Sequence, residues 1–175
     1  MDYPVTPAIR FLREKKIPFT QHLYAYEEHG GTKASARVLN VDEHAVIKTL
    51  VMQTDEQRPL IVLMHGDKEV STKQLARILN VKRIEPCDAA TAQKRTGYLF
   101  GGTSPFGTRT QLPVYAEATI FSLRRIYING GQRGFRRGDD LLVWQVHRGR
   151  RRGRCMDTTG SRAPQRCGVR AGGGR

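Results

Sequence analysis

The sequence predicts an α+β domain with a mixed β-sheet and short helices. Three observations point there. Strand-length apolar runs alternate with short helical patterns, but without the even spacing of repeated βαβ units. Capping residues punctuate the helical patterns at both ends. One run, Pro59-Leu60-Ile61-Val62-Leu63-Met64, is apolar at every position, as a strand buried on both faces must be.

The elements follow in order. Thr6-Pro7 caps a first helix carrying Ala8, Ile9, Phe11 and Leu12. Ile17-Pro18-Phe19 ends it and leads into an extended run from Thr20 to Tyr26. Glu27 to Thr32 reads as a loop, and Ala34 to Leu39 as a short helix closing at Asn40. Val46 to Met52 is a strand containing Lys48, followed by the apolar run at 59–64. After a turn at Gly66-Asp67, Ser71 or Thr72 caps a helix with Leu75, Ile78 and Leu79 on its apolar face. Asp88 caps another, ending near Gly97. Leu112 to Ala116 and Ile126 to Asn129 are further strands. Ala36-Arg37-Val38-Leu39-Asn40-Val41 is echoed at Ala76-Arg77-Ile78-Leu79-Asn80-Val81. Two copies do not make a repeat array, and the echo reads as convergent helix-end chemistry.

The domain is expected over residues 1–147. From about Arg136 onward Arg and Gly dominate, and apolar periodicity fades after Trp144. No lysine follows Lys94, the last of eight. Residues 148–175 hold nine arginines, one aspartate and no lysine, a net of +8 out of the chain's +14. Such a segment buries too little apolar surface to order itself, and disorder is expected there. The charge points to a polyanionic partner, but the first 147 residues are less basic than the total implies.

Composition excludes several classes. No apolar run is long enough for a membrane helix. Met1-Asp2-Tyr3-Pro4 lacks the basic and apolar regions of a signal peptide, so a cytoplasmic protein is expected. Three cysteines make no disulfide framework, and neither they nor the five scattered histidines show zinc-site spacing. Nucleophile-elbow, phosphate-loop and HExxH motifs are absent from the sequence. Cys87 precedes a helix start that would lower its pKa, though a packed cysteine is the simpler reading.

The richest stretch is Thr96-Gly97-Tyr98-Leu99-Phe100-Gly101-Gly102-Thr103-Ser104-Pro105-Phe106-Gly107. Its glycines permit close backbone approach, its N–H groups can hold an oxyanion or a phosphate, and its aromatic rings can stack a base. A plain structural turn fits the same composition. Lys48, by alternation, lies on the face opposite Ile47 and Thr49, either solvated or aimed into a cleft. A second glycine turn, Asn129-Gly130-Gly131-Gln132-Arg133-Gly134, lies beside the first or is a simple hairpin turn.

Taken together these motifs resemble the YbaK/EbsC family, relatives of the editing insertion of bacterial prolyl-tRNA synthetases. The resemblance rests on Thr6-Pro7-Ala8, Ile17-Pro18-Phe19, Lys48-Thr49-Leu50, the stretch at 96–107 and Ile126-Tyr127-Ile128-Asn129-Gly130-Gly131-Gln132-Arg133-Gly134, in order and spacing over roughly residues 5–135. It implies a mixed, barrel-like sheet flanked by short helices. It implies hydrolysis of aminoacyl-tRNA, with Cys-tRNA(Pro) the substrate and the substrate's own thiol assisting. Mischarged proline tRNA is the implied partner, with prolyl-tRNA synthetase a further one. No cofactor, metal or membrane is implied.

By position, the resemblance makes Lys48 the essential lysine, with Gly101 and Gly102 facing the ester. Tyr24, Thr49, Tyr98, Thr103, Ser104, Pro105 and Gly107 fall at substrate-binding positions, and Gly130 and Gly131 at the other wall. A polar residue near Glu117 would meet the substrate amine. The chain departs from the family in lacking a pocket aromatic near Gly30 and in running Phe135-Arg136-Arg137-Gly138-Asp139-Asp140 where an apolar strand and a closing helix are expected. A change of reading frame near residue 135 would produce that ending. Two other functions fit the same residues: a non-catalytic tRNA- or synthetase-binding module, and an Arg/Gly tail acting as a nucleic-acid tether.

Overall fold

The computed structural model describes residues 5–25, 27, 30–132, 140–147 and 154–156; of these, the side chains at 24, 25, 140–147 and 154–156 lie outside the description. Helix α1 (Pro7–Glu14) begins at Thr6, whose hydroxyl accepts from the Ile9 N–H at 3.3 Å. Ala8, Ile9 and Leu12 form its buried stripe. Strand β1 (Phe19–Ala25) follows the Pro18 break. Helix α2 (Gly31–Leu39) starts three residues earlier than the apolar pattern indicates. Strands β2 (Val46–Thr54) and β3 (Pro59–His65) are the antiparallel centre of the sheet. Helix α3 (Thr72–Leu79) is capped by Ser71, and helix α4 (Ala89–Thr96) by Asp88, whose carboxylate accepts from the Thr91 N–H at 2.8 Å. The short strand β4 (Ile84–Pro86) lies between them. Strands β5 (Val114–Glu117), β6 (Arg125–Asn129), β7 (Asp140–His147) and β8 (Arg154–Met156) complete the elements.

The echoed hexapeptides are the same helix ending made twice. Asn40 and Asn80 adopt left-handed φ of 52° and 54°. Val41 N–H donates to Ala36 O and Val81 N–H to Ala76 O, each at 3.0 Å. Both satisfy the last carbonyls by the Schellman pattern.

Strand order is β1-β7-β6-β2-β3-β5-β8, with β4 paired to β2 off this path. Pairing is parallel at β6–β2, β3–β5 and β5–β8 and antiparallel elsewhere, so the sheet is mixed as the sequence predicts. The path is open, with β1 and β8 at its edges, rather than closed into a barrel. On one face Ile9 and Leu12 of α1, with Ile120, pack on Ile47, Ala116 and Ile128 of the sheet. The other carries Met52, Leu60, Val62 and Ile84 beneath Leu75 and Ala76 of α3. Ile78, expected on the apolar face of α3, is 48% exposed, and Ala76 takes the inner position.

Two segments differ from expectation. Asp140–His147 inserts between β1 and β6 beyond the point where the family resemblance ends. Arg154–Met156, expected to be unstructured, runs parallel to β5. An edge strand offers unpaired backbone groups that an extended segment can satisfy without apolar side chains. The rest of 148–175 lies outside the described residues, as do Arg133, Gly134 and the start of the altered ending at 135–139. Among the described residues, no helix is long and apolar enough to cross a membrane.

Candidate active site

The sheet splits beside Lys48. One edge of β2 pairs with β3 along most of its length. Its other edge is shared: β6 takes Val46 and Ile47, and β4 takes Met52 to Thr54. Between them, Lys48 to Val51 have no described strand on that side, although Cys87 N–H donates to Val51 O at 3.0 Å. A cleft of about 970 Å³ opens at this gap. Lys48, Thr49, Leu50 and Val51 form one wall, Pro86 and Cys87 continue from β4, Ile128 and Asn129 from β6, and Tyr98, Phe100, Gly101 and Thr103 face them. The gap explains why consecutive residues of one strand, Lys48 and Thr49, both reach the cleft.

Lys48 is half-buried on the face shared with Leu50 and Met52, as alternation predicts. Among the described residues it has no ion-pair partner. Thr49 Oγ1 is buried and has no hydrogen-bond partner among those residues.

The separate motifs interlock behind the cleft wall. Tyr98 is buried, and its hydroxyl donates to Phe106 O at 2.5 Å. Burial pushes its phenol up to about 12, with the Ala8 N–H pulling the other way. Gly131, at φ +87°, lies against the Tyr98 ring: a Cβ there would sit 2.6 Å from the ring's Cε1. Gly107, at φ +62°, lies against the start of α1, where a Cβ would meet Pro7 O at 2.4 Å. The Thr6 hydroxyl donates to Gly130 O at 2.6 Å. Asn129 joins the two glycine turns: its Nδ2 donates to Gly101 O at 3.0 Å, and its Oδ1 accepts from Gly131 N–H at 2.9 Å. Phe106 stacks on Phe11, with ring centroids 6.0 Å apart.

Of the residues singled out from sequence, Lys48, Thr49, Tyr98, Gly101 and Thr103 line the cleft. Gly102, Ser104, Pro105, Gly107, Gly130 and Gly131 lie outside its lining. Ser104 is fully buried, and its Oγ accepts from Phe106 N–H at 3.4 Å. Gly102 N–H closes a turn onto Leu99 O at 2.9 Å, which takes it out of use as an oxyanion donor in this conformation. Tyr24 pairs with Leu141 in β1, and its side chain lies outside the described residues. Glu117 is 1% exposed and does not line the cleft, so it is not placed to meet a substrate amine. The Cys87 thiol donates to Gln53 Oε1 at 3.4 Å; burial, then the neighbouring Asp88 charge, push its pKa up rather than down. It is a packed cysteine. Asn129, not singled out by itself from sequence, is the side chain that ties the two turns together; its only sequence signal is its place between a strand and Gly-Gly.

Sequence also leaves unseen a polar cluster away from the cleft lining. His65 is fully buried and stacks on His44, with centroids 3.7 Å apart and planes 11° from parallel. Its Nδ1–H donates to His44 O at 2.6 Å and its Nε2 accepts from the Thr119 hydroxyl at 2.7 Å, a tautomer fixed because a carbonyl can only accept. His44 Nδ1 lies 3.0 Å from Asp67. His44, His65 and Asp67 bring donor atoms within 4.8 Å of one another. Both His65 nitrogens are engaged, however, and the in-plane lone pairs of two nearly parallel rings lie in planes that do not converge on a shared point.

Comparison with known proteins agrees with this architecture. Residues 27–136 match the aminoacyl-tRNA editing domain family. A protein of Enterococcus faecalis, named provisionally as the Cys-tRNA(Pro)/Cys-tRNA(Cys) deacylase EbsC, is 28% identical over 130 residues, covering 74% of this chain and 79% of that protein. The proline–tRNA ligase of Lactobacillus helveticus is 26% identical over 97 residues, 55% of this chain but 17% of the ligase. A crystal structure described provisionally as a trans-editing enzyme for prolyl tRNA synthetase superposes with a TM-score of 0.63 at 16% identity, covering 80% of this chain and 87% of that one. With the interlocked glycine turns and the split sheet, the match over residues 27–136 shows that this chain belongs to the aminoacyl-tRNA editing domain family.

Proposed function

We propose that this chain is an aminoacyl-tRNA deacylase that hydrolyses the ester holding cysteine on proline tRNA, and that residues 1–147 carry the activity. The observation that supports it is Lys48: a cation without an ion-pair partner among the described residues, placed where the sheet opens into a largely apolar cleft. Such an arrangement is completed by a ligand that brings negative charge. The volume suits a terminal aminoacyl nucleotide.

A cysteinyl ester carries its own nucleophile, which fits a site where no sequence motif supplies one. The substrate thiol gives its proton to water, and its sulfur bonds to the carbonyl carbon. The carbon–oxygen bond to the ribose then breaks, and the ribose oxygen takes up a proton. Water opens the resulting cyclic thioester and releases cysteine. The protein's part is to hold the ester in place and to steady negative charge on oxygen. With Gly102 N–H committed to Leu99, Lys48 takes the larger share of that charge.

The test is deacylation of proline tRNA charged with cysteine, serine or alanine, by wild type and by Lys48→Ala. Rapid loss of cysteine, slow loss of serine and no activity in the variant are expected. Equal rates on cysteine and serine would remove the thiol-assisted route. A wild type that binds every member and cleaves none would leave a non-catalytic tRNA-binding module.

A further inference from the structure

The loop that faces Lys48 carries an aromatic ring the reaction just described does not use. Phe100 is 75% exposed and Leu99 beside it 56%, both at the tip of that loop, and Phe100 lines the cleft. The loop beneath them is fixed. Gly102 N–H closes onto Leu99 O, Asn129 holds Gly101 O, and Tyr98 is anchored through Phe106 O. The ring is thus presented on a braced support, so little ordering is left to be paid when a flat partner covers it.

The surroundings are cationic. Lys94 and Arg95 form the exposed last turn of α4, which runs straight into the loop through Gly97. Arg109 returns beside it: its N–H donates to Thr96 O at 3.0 Å, and its Cβ lies 3.6 Å from where a Cβ on Gly97 would be. Among the described residues none of the three has an ion-pair partner. An exposed ring beside unpaired cations is the combination that holds single-stranded nucleic acid: the ring takes a base and the cations take its phosphates.

We propose that Phe100 is the stacking platform for the base of the 3′-terminal nucleotide of the RNA, with Lys94, Arg95 and Arg109 holding the phosphates that lead to it. This rests on the deacylase reading for which RNA end enters the cleft, but it is tested by binding alone. The probe is an uncharged RNA minihelix with a single-stranded 3′ end whose last base is 2-aminopurine, a base whose fluorescence falls on stacking. Wild type should quench it. Phe100→Ala should lose the quenching and roughly tenfold or more in affinity. Phe100→Leu, which keeps an apolar side chain without a π face, should also lose it, and Phe100→Trp should restore it. Lys94→Ala and Arg109→Ala should weaken binding and flatten its salt dependence while quenching persists at saturation. Equal quenching by wild type and Phe100→Ala would overturn the proposal and leave the deacylase reading standing. So would a Phe100→Ala protein that binds RNA normally but no longer binds a prolyl-tRNA synthetase, since the ring would then be a protein contact. Quenching that depends on Phe100 in a protein without deacylase activity would uphold the platform and remove the enzyme.

Discussion

The ring of Tyr98 lies against Gly131, two residues 33 positions apart, with no room between them for a single extra carbon. Gly131→Ala would place that carbon 2.6 Å from the ring and force it onto a backbone at φ +87°. The ring cannot easily swing away, because its hydroxyl is held by Phe106 O. Left-handed strain and overpacking together are expected to cost about 2–4 kcal/mol. Thermal unfolding should show a midpoint lower by roughly 5–15 °C; an unchanged midpoint would refute the contact.

Asn129 allows the two glycine turns to be separated experimentally. Asn129→Ala removes both of its hydrogen bonds and should cost about 1–2 kcal/mol. Asn129→Asp keeps an acceptor for the Gly131 N–H but sets a carboxylate against Gly101 O. If positioning of the Gly101 turn matters to turnover, the aspartate variant should lose about as much kcat/KM as the alanine variant while unfolding at a higher urea concentration. Parallel losses in both measurements would assign Asn129 a purely structural role.

Lys48→Ala should separate stability from activity in the other direction. The side chain is half-buried and has no ion-pair partner among the described residues, so its removal should change unfolding by less than about 1 kcal/mol. Deacylation should fall at least about a hundredfold, the scale seen when one charge-stabilising group is removed from a site. A variant that unfolds much more easily than wild type would make any loss of activity uninformative about charge.

His65 gives a pH dependence with a definite sign. Burial holds its imidazole below the usual value; the hydrogen bond to the His44 carbonyl pulls upward, the His44 charge downward, Asp67 upward and Lys68 downward. The native ring therefore stays neutral at a pH where the unfolded chain's ring takes a proton. That contribution to stability is present above the unfolded value of 6.5 and is lost as pH falls below it, levelling off at the native value. Urea midpoints should drop between pH 7.5 and 5.5 in wild type, and less in His65→Gln. An equal drop in both proteins would place the effect elsewhere.

Much of this was legible because local chemistry decides it. Thr6, Ser71 and Asp88 cap helices, and Asn40 and Asn80 end them, through contacts within a few residues. Lys48 was legible as a strand residue, but its cleft was not, since the gap beside it depends on where β4 and β6 leave β2. Three-residue β4 carries too little pattern to read, and so does three-residue β8, set in an Arg/Gly-rich stretch. The glycine motifs stand out in the sequence by composition alone. Their division into residues that line the cleft, such as Gly101, and residues that brace it, such as Gly107 and Gly131, depends on which distant surface each one meets. Glu117 was misplaced because a charged residue in sequence carries no sign that it will be buried.

The bond from Thr6 to Gly130 spans 124 positions, and it has a consequence for how the molecule comes into being. A chain emerging from the ribosome presents α1, β2 and Lys48 long before the second glycine turn exists to brace them. Until residue 131 is free, the Tyr98 ring lacks its contact with Gly131 and β2 lacks its parallel neighbour. Contacts this distant in sequence form slowly. The brace behind the cleft can therefore close only after most of the protein has been made.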